Sequence, residues 1–206
     1  MGQKDIMILR KKKINIYTSI TGDKDSSRID DVKLFTGEKK FIEPVMEAKI
    51  YKILAHQFIE ADYSIWTDGN VELLIPPEQL VKEYMKDEYE IAVFKHPKRN
   101  CLYDEAERLK EIFPSLIQTI DSQMYHYYRQ EFPKRNGLKE CGVIIRKHNK
   151  EIEKFNNAWW SEICRWTYRD QLSFTYILSK FPDLKINIIE GNVRNHPYFS
   201  YTNHLK

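Results

Sequence analysis

Apolar side chains recur along this chain with two periods, and the places where one period gives way to the other mark its elements. Positions 13–19 (KINIYTS) alternate apolar and polar residues with β-branched enrichment, which predicts a first strand ending in hydroxyl residues. The stretch TGDKDSS that follows, 21–27, has loop composition, and 32–35 reads as a short second strand. After Pro44 the apolar residues Ile50, Ile53, Leu54 and Phe58 fall at helical spacing, so one helix is predicted over 44–58. A strand at 63–66 follows at once, and others are expected at 71–75, 91–94, 143–146 and 186–189. Two long helices dominate the second half. One carries Ile152, Phe155, Trp159, Ile163 and Trp166 on one face, the other Phe174, Ile177, Leu178 and Phe181. Strands alternating with helices predict an α/β sheet in a single domain, with a core at about 13–190 and a carboxy-terminal tail at 191–206. Nothing repeats internally.

Composition narrows the partners more than the fold. With 206 residues, 42% of them hydrophobic, the chain can bury a sizeable core without a second domain. A net charge of +3 permits an anionic partner without demanding one. The three cysteines, Cys101, Cys141 and Cys164, are far apart and lack the paired spacing of a zinc site, which points to a reducing, cytoplasmic setting. Ile6 to Leu9 followed by Arg10 and three lysines is too short and in the wrong order for a secretory signal. No run approaches the roughly 20 apolar residues that cross a bilayer.

The segment Thr67-Asp68-Gly69-Asn70 places a carboxylate and an amide two residues apart where an apolar strand stops. Ligands of open α/β sheets sit beyond the carboxyl ends of strands, so Asp68 and Asn70 are candidates to converge on a divalent cation, with Gly69 letting the backbone approach a phosphate. The competing reading is a hairpin turn joining 63–66 to 71–75, since Asp-Gly is among the strongest turn dipeptides. Lys49 and Lys52, on the preceding helix, are placed to approach a diphosphate or to form an exposed face. His96 and Arg99 lie in a basic loop after a predicted strand, suited to a phosphate or to solvent. Asp170, at the start of an apolar helix, is either a helix-start residue or a proton acceptor for a hydroxyl, with Gln171 beside it and Glu162 in reserve. Trp159 and Trp160 read as core. Basic clusters at 10–13, 95–99, 134–135 and 146–147, with the aromatic run Tyr125-His126-Tyr127-Tyr128, leave room for a nucleic-acid-binding module.

Five blocks decide between these readings: AKIYKILAH (48–56), YSIWTDGN (63–70), HPKRNCLYDEA (96–106), CGVIIRKHN (141–149) and WWSEICRWTYRDQLSF (159–174). In order, they resemble the signature blocks of a glycosyltransferase-like family long catalogued only as a domain of unknown function, with plant mucilage- and pollen-associated, bacterial and viral members. The resemblance covers about 13–181. It implies a GT-A-like, Rossmann-like domain with a mostly parallel central sheet flanked by helices. It also implies a nucleotide-sugar donor, with uridine diphosphate the default, and manganese or magnesium bridging its phosphates. Asp68 would be the metal-binding carboxylate, although Asn70 replaces the second acid of the family's Asp-x-Asp-type motif. Thr18 and Ser19 would hold the nucleoside, Asp170 and Gln171 would face the sugar, and His196 would return to the metal as a third ligand. The acceptor would be a glycan or, as a viral-type alternative, a hydroxylated base in DNA.

Overall fold

A computed structural model describes residues 11–21, 32–37, 41–86 and 88–203; the expected loop at 22–27 and the amino-terminal residues Ile6 to Arg10 lie outside them. Chain order is β1 (Ile14–Ile20), β2 (Lys33–Thr36), α1 (Pro44–Ile53), α2 (Ala55–Phe58), β3 (Tyr63–Thr67), β4 (Val71–Leu73), α3 (Pro77–Tyr84), β5 (Ile91–Lys95), α4 (Leu102–Ile112), α5 (Ile117–Arg129), β6 (Lys139–Lys147), α6 (Lys150–Arg165), α7 (Asp170–Leu178), β7 (Ile186–Ile189) and β8 (Phe199–Tyr201). Six strands form one sheet in the order β2-β1-β3-β6-β5-β7. β6 alone runs antiparallel to its neighbours β3 and β5, while β1 pairs in parallel with β2 and β3, and β5 with β7. This is the mostly parallel α/β sheet flanked by helices that the sequence implied.

Alternation along the strands sends side chains to two cores. Trp66, Ile91, Val93 and Ile144 pack on one face with residues of α4 to α7, such as Leu109, Tyr127, Trp159 and Phe174. Ile65, Ala92, Phe94, Val143 and Ile145 pack on the other with Leu80 and Val81 of α3. A strand covered on both faces favours apolar residues at successive positions, as in Ile91 to Phe94 of β5, and β3 buries all five of its residues, the small polar Ser64 and Thr67 included.

The predicted strands recur within a residue or two, except that β6 begins four residues before the expected 143–146 and β4 stops two residues short of the expected end. The helix expected over 44–58 is two helices, broken at Leu54 (φ −88°, ψ 39°). Its apolar spacing continues across the break, so periodicity alone does not reveal it. Asp-Gly-Asn is a turn, closed by Val71 N–H donating to the Asp68 carbonyl (2.8 Å), but it is no hairpin: β3 lies in the large sheet and β4 pairs with β8. Residues 191–203, read as tail, are therefore woven into the fold through β8, which runs antiparallel to β4.

The consequence for function is geometric. The carboxyl ends of β1, β3, β5 and β7 share one edge with the amino end of β6, and that edge collects Thr18, Ser19, Asp68, His96 and Gly142.

Candidate active site

The site is assembled from α1 outward. Pro44 opens α1, where its missing N–H is no loss, and Lys49 and Lys52 stand one turn apart facing inward. The end of α1 is fixed by Arg146 of β6, which has no exposed surface. Its Nη1 donates to the carbonyl of Ile53 (3.1 Å) and to Asn156 Oδ1 (3.0 Å). Its Nη2 donates to the Tyr17 hydroxyl and to the carbonyl of Lys52. The last carbonyls of a helix lack intrahelical partners and carry partial negative charge, so a buried guanidinium there both caps α1 and accounts for the break at Leu54. Sequence reading did not assign Arg146 this task; the signal was present only in the block CGVIIRKHN.

From that anchored position Lys52 Nζ reaches Asp68 Oδ1 at 3.0 Å and Asp170 at 2.7 Å, and Lys49 Nζ reaches the same oxygen of Asp170 at 2.7 Å. Trp66, buried in β3, turns its indole Nε1 onto Asp68 Oδ1 at 2.8 Å. Asp68 therefore has one oxygen engaged by two donors. Its side chain is 42% exposed, and among the described residues no donor reaches Oδ2, which faces Gly142 so closely that a Cβ there would come within 3.5 Å. The carboxylate is neither a solvent-facing turn residue nor a buried one; it is held by one oxygen and open at the other.

Asp170 opens α7, where its Oδ1 accepts the backbone N–H of Gln171 (3.1 Å) and its charge meets the positive end of the helix dipole. Burial pushes its carboxyl upward, but Lys49 and Lys52 outweigh burial and hold it well below the usual carboxylate range. Burial also disfavours the Lys52 ammonium, yet Asp170 and Asp68 keep its pKa above the ordinary lysine value. Lys49 is shifted down by burial, with Lys52 adding to the effect. Cys141, beneath this cluster, has its thiol pushed up by burial and by Asp170, so it is no nucleophile at neutral pH.

A pH dependence follows from the depressed Asp170. A carboxyl held lower in the folded than in the unfolded state contributes stability above its unfolded pKa of about 4 and loses it as pH falls toward the folded value. Urea denaturation of wild type and Asp170→Asn at pH 7 should differ by about 3 kcal/mol, the usual size for breaking a buried pair, and the gap should narrow at pH 3. A gap unchanged between the two pH values would show that the ion pairs do not carry it.

The remaining expectations divide. Thr18 and Ser19 are buried at the end of β1; Ser19 Oγ donates to the carbonyl of Phe35 (3.0 Å), whereas Thr18 Oγ1 has no partner among the described residues. Asn70 does not turn toward Asp68 Oδ2: its Nδ2 donates to the Thr202 carbonyl (3.0 Å) and its own carbonyl accepts from Thr202 N–H (2.9 Å), so it fastens the β4–β8 ribbon. Gly69 makes the turn without a left-handed φ. His196, expected as a third ligand, has partners of its own. Its Nε2 meets the Tyr84 hydroxyl (3.2 Å), its Nδ1 accepts from Tyr198 N–H (3.2 Å), and Phe94 and Phe199 pack around the ring, so an aromatic cluster claims it before a cation can. Glu162 is buried in α6 against Tyr127, and among the described residues its Oε1 has no hydrogen-bond partner. His96 Nδ1 accepts from the backbone N–H of Arg99 (3.0 Å), and Arg99 pairs with buried Glu105; these two residues order the loop into α4. Trp159 is core, donating to Ser173 Oγ at 3.0 Å.

A family model for the TOD1/MUCI70 glycosyltransferase-like domain matches residues 7–202. The chain belongs to that family. The Arabidopsis thaliana protein "Probable hexosyltransferase MUCI70" is 31% identical over 142 residues, 64% of this chain and 24% of its own length. "Alkaline ceramidase TOD1" of the same plant is 24% identical over 188 residues, 85% of this chain and 40% of its own. This chain thus spans less than half the length of either. Among solved structures, mouse xyloside xylosyltransferase 1 aligns with a TM-score of 0.44 and 12% identity over 77% of this chain and 62% of that one. A glycosyltransferase involved in glycosylating the major capsid of PBCV-1 aligns with a TM-score of 0.45 and 11% identity over 85% and 82%.

In this TOD1/MUCI70 domain the donor set for a divalent ion is lean. Among the described residues no three His, Cys, Asp or Glu side chains gather to hold one. Asp68 Oδ2 still fits magnesium or manganese, which commonly take one or two protein carboxylates and fill the shell with phosphate and water. Also among the described residues, no helix is long and apolar enough to cross a membrane.

Proposed function

We propose that this chain transfers a sugar from a nucleotide-sugar to a hydroxyl acceptor, with Asp68 at the donor's diphosphate. The observation that carries the reading is the half-held carboxylate: Lys52 and Trp66 fix Oδ1, and Oδ2 opens at the carboxyl edge of the sheet. Two lysines and two aspartates make the cluster neutral as it stands, so a diphosphate needs further positive charge to settle there. A manganese or magnesium ion bound by Asp68 Oδ2 and the donor phosphates would supply it and ease departure of the nucleoside diphosphate.

The protein's own groups do the rest. Lys52 keeps Asp68 aimed, and the end of β1, which carries Thr18 and Ser19, would lie on the nucleoside side of the donor, for which a uridine diphosphate sugar is our first choice. Asp170 and Gln171, at the head of α7, are on the sugar side. A carboxyl held so low makes a weak base, because efficient proton acceptors sit near the working pH; Asp170 therefore keeps the two lysines in place. Three unpaired cysteines support a reducing, cytoplasmic setting.

The test is a panel of nucleotide-sugars with manganese, scored for hydrolysis without acceptor, alongside a ceramide substrate scored for released fatty acid. One nucleotide-sugar, expected to be a uridine diphosphate sugar, should be hydrolysed and the ceramide left intact. Fatty-acid release with no sugar nucleotide cleaved would replace the transferase reading with an amide hydrolase.

A further inference from the structure

The aromatic run Tyr125-His126-Tyr127-Tyr128 is not used by the donor site, and the structure divides it. Tyr127 is wholly buried, stacked on Tyr176 with centroids 3.8 Å apart, and His126 packs against Trp166. Tyr125 and Tyr128, three residues apart on α5, face outward with 61% and 67% of their surface exposed. Beside Tyr128 lies a groove of about 420 Å³, walled by Tyr103, Tyr128 and Phe132 and edged by Arg129, Glu131 and Lys134. That volume is within the range of ligand clefts, about 300–1,000 Å³.

Its construction is specific. α5 ends at Arg129, and the chain then bends through two non-glycine residues with left-handed backbone, Glu131 (φ 56°) and Arg135 (φ 58°), before Gly137 (φ 73°). Such residues each cost about 1–2 kcal/mol, so the surroundings must hold them. At Glu131 they do: Phe132 N–H donates to the carbonyl of Tyr127 (3.0 Å), and the Tyr103 hydroxyl donates to the carbonyl of Phe132 (2.9 Å). The same loop ends at Leu138, whose carbonyl accepts His96 N–H (2.9 Å), and runs straight into β6, whose Gly142 carbonyl accepts Asp68 N–H (2.8 Å). The groove's loop therefore leads into the sheet edge that carries Asp68.

We propose that this groove is an acceptor subsite for an oligosaccharide, holding sugar units beyond the one that receives the transferred residue. Flat phenol faces match the C–H faces of pyranose rings, and Arg129 and Lys134 present donors to ring hydroxyls at the rim. A single nucleic-acid strand fits less well. It needs a cationic track along several phosphates, whereas this rim pairs two cations with Glu131, and Tyr127 of the aromatic run is core. The assignment rests on the transferase reading for its purpose but not for its test.

The experiment has two readouts on wild type, Tyr128→Ala and Lys134→Ala, all full-length chains with exposed substitutions. In the first, neutral and uronic-acid oligosaccharides of two to six units, and a single-stranded DNA of matched length, are titrated without donor. At least one oligosaccharide should bind with affinity rising with length, and Tyr128→Ala should weaken it about tenfold, the scale of one aromatic face. In the second, acceptor-free donor hydrolysis should be equal in wild type and Tyr128→Ala, while KM for the bound oligosaccharide rises about tenfold and that for a monosaccharide acceptor stays put. No binding of any oligosaccharide, binding that Tyr128→Ala leaves intact, or a preference for DNA lost in Tyr128→Ala would each overturn the subsite. Absence of donor hydrolysis in wild type would instead strike the transferase reading and leave the first readout standing.

Discussion

Arg146→Met should destabilise this fold by about 3–5 kcal/mol, a large fraction of the roughly 5–15 kcal/mol that holds an ordinary domain together. The guanidinium has no exposed surface and serves the carbonyls of Lys52 and Ile53, Asn156 Oδ1 and the Tyr17 hydroxyl. Methionine fills much of the volume but offers no donor, so buried acceptors lose their partners, at about 1–3 kcal/mol for each left unsatisfied. Some of that loss is regained by relaxation. The second effect is functional: with its carbonyl left to the longer bond from the Tyr17 hydroxyl (3.3 Å), Lys52 starts from a less firmly fixed backbone, and the grip on Asp68 loosens in whatever protein remains folded. Urea denaturation measures the first effect and donor hydrolysis at low temperature the second. A change in unfolding free energy within about 0.5 kcal/mol, the range of ordinary surface substitutions, would remove Arg146 from the role of clamp.

Asp68→Asn should lower turnover by about 100-fold or more, the scale on which a single group that stabilises developing charge is worth in an active site. Asparagine is the informative replacement because its carbonyl oxygen can still accept from Lys52 and Trp66, so the local hydrogen bonds survive and only the charge at the open oxygen is lost. Stability should accordingly change by no more than about 1 kcal/mol. A variant that folds like wild type yet turns over at the wild-type rate would take Asp68 out of the reaction.

The strands were legible because each carries its own evidence. β7 falls at 186–189 as predicted, and β3 begins at Tyr63, since period-two burial and apolar runs are local properties. What stayed hidden depends on partners far away in sequence. The break at Leu54 comes from a guanidinium that binds the carbonyl of Ile53 from 93 positions along the chain, and Lys49 meets Asp170 across 121 positions. Neither can be read from spacing. Asp68 and Asp170 were both singled out, but the two lysines that join them give Asp170 a character its position at a helix start did not suggest. Asn70 and His196 likewise have partners that spacing does not reveal. Each has the right chemistry for a cation and is claimed first, by the Thr202 backbone and by an aromatic cluster. α5 was missed because its outward tyrosines blur the polar face that marks a surface helix.

The central claim is that the open oxygen of Asp68 meets the donor's diphosphate through a cation. Titration calorimetry of uridine diphosphate into wild type and Asp68→Asn, each with manganese and again with a chelator in excess, tests it most directly. Wild type with manganese should bind at least about tenfold more tightly than the other three combinations, a difference of about 1.4 kcal/mol. Equal affinity in all four would contradict the account.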